Sequence, residues 1–193
     1  MRNCIALING KVITPFREID KGSVLIEGEF IKEVGKANEI KIPNDAQVID
    51  VSGKYISPGF IDSHLHGAFG GAVMGSTEKD LKLMAQGLVK CGITSFIPTT
   101  LSGPWDEIVQ SVNCINKTMQ KDLKGAKILG VHLEGPYFSL EQKGAQNPKY
   151  IISAKPEQYL PLLDKYLCII KVTAAPEIPG CLELGQELRK RKI

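Results

Sequence analysis

The sequence predicts an α/β protein in which a small antiparallel β domain precedes a partial (β/α)8 TIM-type barrel of about four βα units. Short extended segments separated by turns fill the first 55 residues, and from about residue 56 extended and helical segments alternate four times. Such alternation is typical of parallel strands joined by helical crossovers, in a barrel or in an open doubly wound sheet. The predicted domains are a small β-sandwich-like segment, residues 1–55, and the first half of a barrel, residues 56–193.

Turn residues predict the antiparallel sheet of the small domain. Asn9-Gly10 is the strongest two-residue hairpin signal, and it separates extended segments at 5–8 and 11–14. Gly28-Glu29 separates a second pair of extended segments in the same way. Further extended pieces are expected at 47–51 and 54–56.

Apolar spacing predicts the elements of the second domain. Apolar residues three and four positions apart predict an amphipathic helix over 77–90, with Ser76 or Thr77 as its N-cap. Further helices are expected over 105–121, 156–165 and 182–192, and strands over 60–66, 93–97, 127–133 and 167–173. Since a complete barrel runs to about 250 residues, we expect the chain to be a truncated barrel. The alternative is a self-sufficient four-stranded sheet flanked by helices.

Composition limits the classes of partner. Hydrophobic residues make up 43% of the chain and charged residues 23%, which is typical of a chain that buries a core. The net charge of +3 is too small to indicate nucleic acid or an anionic membrane as the partner. No apolar run reaches the about 18 residues of a membrane span, so we expect a cytoplasmic protein. The five cysteines have no CxxC spacing, and we expect reduced thiols.

Two histidines at the end of the first barrel strand predict a metal site. His64 and His66 are two residues apart, so their side chains point to the same face of a strand. Two neutral imidazoles hold a cation and leave positions open for water, as a catalytic site requires. Asp62 lies on the same face and is a candidate to accept an imidazole N–H and fix its tautomer. The alternative is a chance His-x-His pair at a strand end.

A second cluster lies at the end of the third barrel strand. His132 and Glu134 share one strand face, and Gly135-Pro136 turns the chain away after them. Because parallel strands place their C-terminal ends on one side of a barrel, Glu134 and the two earlier histidines can converge on one cation. The alternative for Glu134 is an exposed charge at a strand end. For His132 we favour a hydrogen-bonded core histidine over a ligand.

Four segments, together with the small N-terminal sheet, carry a resemblance to a known family. They are SPGFIDSHLHG at 57–67, VHLEGPY at 131–137, KGAQN at 143–147 and TAAPE at 173–177. Together they resemble the N-acetylglucosamine-6-phosphate deacetylases of the amidohydrolase superfamily. The His-x-His element is shared by many amidohydrolases, whereas HLEGP followed by KGA is far more specific to the deacetylases.

The resemblance implies roles for individual residues of a truncated metallo-dependent hydrolase. Glu134 matches the metal-binding glutamate of the family, and His64 and His66 match the pair that supports a second or alternative metal. Ala145 and Gln146 match the loop pair that contacts the sugar substrate, where many members have His instead of Gln. Asn147 is the next candidate for substrate binding. Their positions on the two strands, and not the resemblance, place Asp62 and His132 behind the expected metal ligands.

The resemblance also implies an activity, which is hydrolysis of N-acetylglucosamine 6-phosphate to glucosamine 6-phosphate and acetate in amino-sugar catabolism. The cofactor would be a divalent cation, with zinc, iron, manganese and cobalt all compatible, and the full-length enzyme would be a homo-oligomer. The family takes two further histidines and a catalytic aspartate from later strands, and no histidine follows His132. We therefore expect the catalytic aspartate beyond residue 193 and no catalytic residue within this chain.

The sequence is also compatible with two alternatives to the deacetylase. The first is another amidohydrolase, such as a cyclic-amide hydrolase or a deaminase, because these enzymes share the His-x-His strand. The second is a non-catalytic truncated barrel, whose uncovered apolar faces and strand edges would favour self-association.

Overall fold

A mixed five-stranded sheet forms the first unit of the computed structural model, which describes residues 4–193 and divides into two units between Pro58 and Gly59. The strands are β1 (Cys4–Ile13), β2 (Glu18–Glu27), β3 (Phe30–Lys36), β4 (Gln47–Asp50) and β5 (Tyr55–Ile56). They follow the order β3-β2-β1-β4, and β5 also pairs with β1. The described residues of this unit form one five-stranded sheet, and the β-sandwich-like arrangement of residues 1–55 stays a prediction.

The strand directions match the antiparallel prediction only in part. The pairs β1–β2 and β2–β3 are antiparallel, and Gly28-Glu29 forms the predicted turn between β2 and β3. β4 and β5, however, both run parallel to β1. The reason is the connection at 37–46, which carries the chain from the β3 edge to the far side of β1 before β4 begins.

Asn9-Gly10 lies inside β1 and does not form the predicted hairpin turn. β1 continues through both residues, and its pairing with β2 shifts register beside them. Asn9 has a φ of 63°, and its amide nitrogen donates to Asp50 Oδ2 on β4 at 3.1 Å. A Cβ at Gly10 would lie 2.7 Å from Ile56 Cδ1, so glycine is needed where β5 packs. The turn between β1 and β2 instead spans 14–17.

Strands and helices alternate in the second unit, as predicted. Its main elements are β6 (Phe60–Leu65), β7 (Gly67–Ala68), β8 (Gly71–Ala72), α1 (Glu78–Leu88), β9 (Ile93–Pro98), α2 (Trp105–Thr118), β10 (Lys127–Ile128), β11 (Val131–Glu134), α3 (Pro156–Lys165), β12 (Ile169–Thr173) and α4 (Cys181–Arg191). Thr77 is the N-cap of α1, where its hydroxyl and Asp80 form a capping box. None of the described helices is long and apolar enough to cross a membrane.

Parallel pairing links the strands of this unit. β9 lies between β6 and β10, and β11 pairs with β12. An isolated parallel bridge between Thr99 and His132 connects the end of β9 to β11. The prediction of one strand over 127–133 is wrong, because the chain changes partner there from β9 to β12. At Gly130 a Cβ would lie 2.7 Å from the carbonyl oxygen of Cys168, so the two chains approach closely at the break.

A lysine contact shows that the four strand positions form a curved wall. Lys171 Nζ on β12 donates to the carbonyl oxygen of Ser63 on β6 at 3.1 Å. From β6 to β12 the neighbouring strands are β6, β9, β11 and β12. In a flat sheet, three spacings of about 4.8 Å between them would separate β6 from β12 by about 14 Å. A lysine side chain does not span that distance. The strands therefore curve towards each other, as in a barrel wall.

The core of the second unit lies between this wall and the helices. Leu81 and Met84 on α1, Ile108 on α2 and Phe96 on β9 are fully buried in one apolar cluster. The stripe of apolar residues on each helix therefore faces the strands and holds their C-terminal ends at one edge.

Burial makes the cysteines of this chain differ in reactivity. Cys91 is exposed, whereas burial raises the pKa of the Cys168 thiol to about 11. Because the thiolate is the nucleophile, the raised pKa leaves less of the reactive form of Cys168, and burial also shields its sulfur from the reagent. We expect iodoacetamide to alkylate Cys91 at least about tenfold faster than Cys168, as measured by a peptide mass-spectrometry time course. Guanidinium should make the two rates similar, and equal rates in the folded protein would contradict the assignment.

Candidate metal centre

His64, His66 and Glu134 converge at the C-terminal ends of β6 and β11. His64 Nε2 lies 3.2 Å from Glu134 Oε1, and His66 Nε2 lies 3.1 Å from Glu134 Oε2. The two Nε2 atoms are 3.1 Å apart. The Glu134 side chain is 12% exposed, and those of His64 and His66 are 45% and 38% exposed. The structure thus brings the three sequence-predicted ligands together, with the carboxylate deep and the imidazoles towards solvent.

The hydrogen bond of His66 determines which of its ring nitrogens is available to bind a cation. His66 Nδ1 lies 3.1 Å from the carbonyl oxygen of Thr99. Because a carbonyl only accepts, Nδ1 carries the proton, and the Nε2 of the neutral ring keeps a lone pair. That lone pair faces the Glu134 carboxylate and His64 Nε2, an arrangement that needs a proton or a cation among the three groups.

The spacing of the donor atoms agrees with a divalent metal. Ligand atoms about 2.1 Å from a tetrahedral zinc ion lie about 3.4 Å from one another. His64 Nε2 and His66 Nε2 are 3.1 Å apart, and each lies 3.1–3.2 Å from a different oxygen of Glu134. One ligand atom from each of the three residues lies within 4.8 Å of the others. Two imidazoles and one carboxylate are also a donor set that suits zinc and its first-row neighbours. The residues present therefore fit a divalent cation.

Asp62 does not form the expected bond to an imidazole. Within residues 4–193, its Oδ1 accepts a hydrogen bond from the backbone N–H of His64 at 3.1 Å. This short side-chain-to-backbone bond turns the carboxylate back onto its own strand, so it does not reach a ring nitrogen. The expectation that Asp62 fixes a tautomer is therefore wrong, and the carbonyl of Thr99 has that role for His66.

Thr99 is a functional residue that the sequence analysis missed. It follows β9 and is fully buried. Its hydroxyl oxygen accepts from the backbone N–H of Leu65 at 3.0 Å and lies 3.2 Å from His132 Nδ1. Together with the carbonyl contact to His66, these bonds attach the end of β9 to both strands that carry candidate ligands.

Thr100 continues this attachment at Glu134. Its hydroxyl accepts from the backbone N–H of Glu134 at 3.1 Å, and its own N–H donates to the carbonyl of His132 at 3.0 Å. One signal for both threonines is present in the sequence, since two consecutive hydroxyl residues follow the predicted strand that ends at Pro98. Residues that follow the C-terminal end of a barrel strand lie on the face of the barrel where active sites form.

His132 is the hydrogen-bonded core histidine that we favour from the sequence. It is 0% exposed, and its Nε2 lies 2.8 Å from Thr173 Oγ1. Burial, with the nearby Lys171 charge, lowers the pKa of His132 to about 4, so the ring is neutral at pH 7. The His64 ring packs edge-on against it, with 5.0 Å between centroids. His132 therefore supports a candidate ligand from behind without adding positive charge.

The loop after β11 places the three predicted substrate-binding residues differently. Gln146 is buried, with Nε2 donating to Glu134 Oε2 at 3.2 Å and Oε1 accepting from the Ser102 N–H at 2.7 Å. Ala145 and Asn147 are exposed, and Asn147 Oδ1 accepts from the backbone N–H of Lys149. Substrate binding by Ala145, Gln146 and Asn147 stays a prediction.

Comparison with known proteins agrees with this geometry. A model of the amidohydrolase family matches residues 55–180, the segment that contains the whole ligand cluster. The chain belongs to the amidohydrolase family. It is 34% identical over 175 residues to an N-acetylglucosamine-6-phosphate deacetylase of Haemophilus influenzae, covering 90% of this chain and 45% of that protein. It is 30% identical over 152 residues to an N-acetylgalactosamine-6-phosphate deacetylase of Escherichia coli O157:H7, covering 78% of this chain and 40% of that protein.

A solved structure extends the likeness to the fold of this amidohydrolase. The crystal structure of N-acetylglucosamine-6-phosphate deacetylase from Pasteurella multocida matches with a TM-score of 0.86 and 28% identity, over 97% of this chain and 48% of that chain. The predicted resemblance to the deacetylases and the predicted fold class are thereby confirmed. This amidohydrolase spans about half the length of the relatives that it matches.

The buried hydroxyl of Thr99 gives a stability prediction. Replacing Thr99 by valine leaves the Leu65 N–H without its acceptor, and we expect the free energy of unfolding to fall by about 2 kcal/mol. Thr99→Ser keeps the hydroxyl and should lose less. Urea unfolding followed by circular dichroism measures both. The control is Thr94→Val at an exposed position of β9, which should change stability by less than about 0.5 kcal/mol. Equal effects of the two valine variants would refute the role of Thr99.

Proposed function

We propose that this chain supplies the metal-binding part of a deacetylase site that removes the acetyl group from an N-acetylhexosamine 6-phosphate, with N-acetylglucosamine 6-phosphate as the substrate. The observation that carries the proposal is the convergence of His64, His66 and Glu134 within hydrogen-bonding distance of one another. Support for the substrate class comes from the relatives, which are named as deacetylases of N-acetylglucosamine 6-phosphate and N-acetylgalactosamine 6-phosphate.

The chemistry of the residues agrees with amide hydrolysis. A divalent cation, when bound, polarises an amide carbonyl and activates water near neutral pH. Glu134 would hold it with an anionic oxygen, and His64 and His66 with neutral nitrogens. The Thr99 carbonyl keeps His66 in the tautomer whose Nε2 has a free lone pair. His132 stays neutral behind the cluster, so it does not repel a cation at neutral pH.

Several finer points belong to this proposal. The metal could be zinc, iron, manganese or cobalt, because imidazole and carboxylate ligands accept all four. A cytoplasmic location and a homo-oligomeric enzyme stay predictions. The rival within the same family is a cyclic-amide hydrolase or a deaminase, and the rival outside it is a non-catalytic barrel fragment.

Metal binding gives the first test of the proposal. We expect about one divalent cation per chain, measured by titration calorimetry with Co²⁺ and by metal analysis after dialysis. Replacing both His64 and His66 by asparagine, or Glu134 by glutamine, should weaken binding at least about tenfold because a ligand donor is lost. The matched control is Glu141→Gln, an exposed carboxylate in the loop after β11, which should bind as the wild type does. Unchanged affinity in the double histidine variant would refute the site.

Substrate choice gives the second test. We expect the full-length product of the gene that encodes this chain, loaded with Co²⁺ or Zn²⁺, to release acetate from N-acetylglucosamine 6-phosphate. Chelation should abolish this activity, and added metal should restore it. The comparison substrates are N-acetylgalactosamine 6-phosphate, unphosphorylated N-acetylglucosamine and a hydantoin ring. Hydrolysis of the ring alone would favour a cyclic-amide hydrolase, and metal binding without any turnover would favour the non-catalytic alternative.

A further inference from the structure

We propose that Gln146 is a positioning residue, which holds the Glu134 carboxylate in the orientation that faces the two imidazoles. The inference rests on the metal site proposed above. The side chain of Gln146 points into the protein. The sequence resemblance, in contrast, implies that this residue contacts substrate. The observation behind it is that both ends of the Gln146 amide are bonded, Oε1 to the backbone of the loop after β9 and Nε2 to Glu134 at the end of β11.

The backbone N–H of Ser102 determines which end of the amide is oxygen. This N–H lies 2.7 Å from the Gln146 side chain, and because it can only donate, the atom that it contacts is the carbonyl Oε1. The NH2 end must then lie 3.2 Å from Glu134 Oε2, where it donates to the carboxylate. The reverse orientation would place an N–H against the Ser102 N–H and an oxygen against the carboxylate, so it is excluded on both sides.

The terminal torsion of a glutamate has a broad energy profile, so a carboxylate needs partners to define its plane. Oε1 of Glu134 faces His64, and Oε2 faces His66. The Gln146 amide supplies the neutral hydrogen-bond donor to Oε2. A hydrogen bond to a ligand carboxylate from behind orients the ligand and typically changes metal affinity by about 10- to 100-fold. Gln146 is 8% exposed, so water does not easily replace it as the donor.

The same side chain also anchors its own loop. Ser102 follows β9, Glu134 ends β11, and Gln146 comes from the loop between β11 and α3. One amide therefore joins three segments around the carboxylate. This arrangement links the position of the loop to the orientation of a candidate ligand, and a purely substrate-binding side chain would not need the bond to Ser102.

The test replaces Gln146 by methionine, which has a similar length and forms neither bond. We expect the dissociation constant for Co²⁺, measured by calorimetry, to rise at least about tenfold, and the visible absorption of bound Co²⁺ to change in position or intensity. The matched control is Gln142→Met, an exposed glutamine of the same loop, which should leave both readouts unchanged. A merely structural role of Gln146 would lower the unfolding midpoint and leave the Co²⁺ spectrum of the folded fraction unaltered.

A second variant guards against misfolding of the first. Gln146→Asn keeps the amide but is one methylene too short to reach both partners, so it should also weaken Co²⁺ binding. Circular dichroism verifies that each variant is folded before titration. If the wild type binds Co²⁺ and a folded Gln146 variant binds it with the same affinity and spectrum, the inference is refuted while the metal site stands. If the wild type binds no Co²⁺, the proposed metal site is refuted and the inference with it.

Discussion

The buried end of β9 holds the two ligand-bearing strands together. β9 pairs with β6 on one side, and through the bridge at Thr99 it contacts β11 on the other. Thr99 offers a hydroxyl to Leu65 N–H and to His132, and a carbonyl to His66. The Thr99 side chain and His132 are fully buried, so leaving either without a hydrogen-bond partner would cost about 1–3 kcal/mol. The convergence of His64, His66 and Glu134 therefore depends on a strand that carries none of them.

The charges around the cluster are arranged to favour a cation. Glu134 is little exposed, and its carboxylate faces two imidazole nitrogens. His132, the histidine behind them, is kept neutral by burial, which lowers its pKa to about 4. The ammonium of Lys171 donates to the carbonyl of Ser63 on the opposite strand. The ammonium of Lys171 is thus bonded to a backbone carbonyl and not to the Glu134 carboxylate.

Local patterns in the sequence were enough to predict most of the second unit. Apolar spacing predicted its four helices, and the alternating spacing of His64, Leu65 and His66 predicted that both imidazoles share a face. Glu134 could be assigned because parallel strands end at one edge. These inferences need only the period of a helix or strand and the direction of the chain.

Features that depend on a distant partner were not predictable in this way. Asn9-Gly10 has the composition of a turn, but β4 and β5 pack beside it and keep the strand continuous. The strand expected over 127–133 is broken because the chain exchanges β9 for β12 as its neighbour. Thr99 takes the role expected of Asp62, since Asp62 bonds within its own strand while tertiary pairing places the Thr99 carbonyl beside His66. No single-residue pattern encodes that placement.

The loop between β11 and α3 places an ordered side chain, Gln146, beside the candidate metal centre. A loop side chain would ordinarily lose much conformational entropy when it is ordered, about 1.5–2 kcal/mol for a glutamine. Gln146 offsets this cost with two hydrogen bonds, one of them to a charged acceptor, and such bonds are stronger than those between neutral groups. Because the acceptor is Glu134, the stability of the loop and the orientation of the carboxylate depend on the same contact. An amide at position 146 therefore affects the candidate metal centre even without touching a substrate.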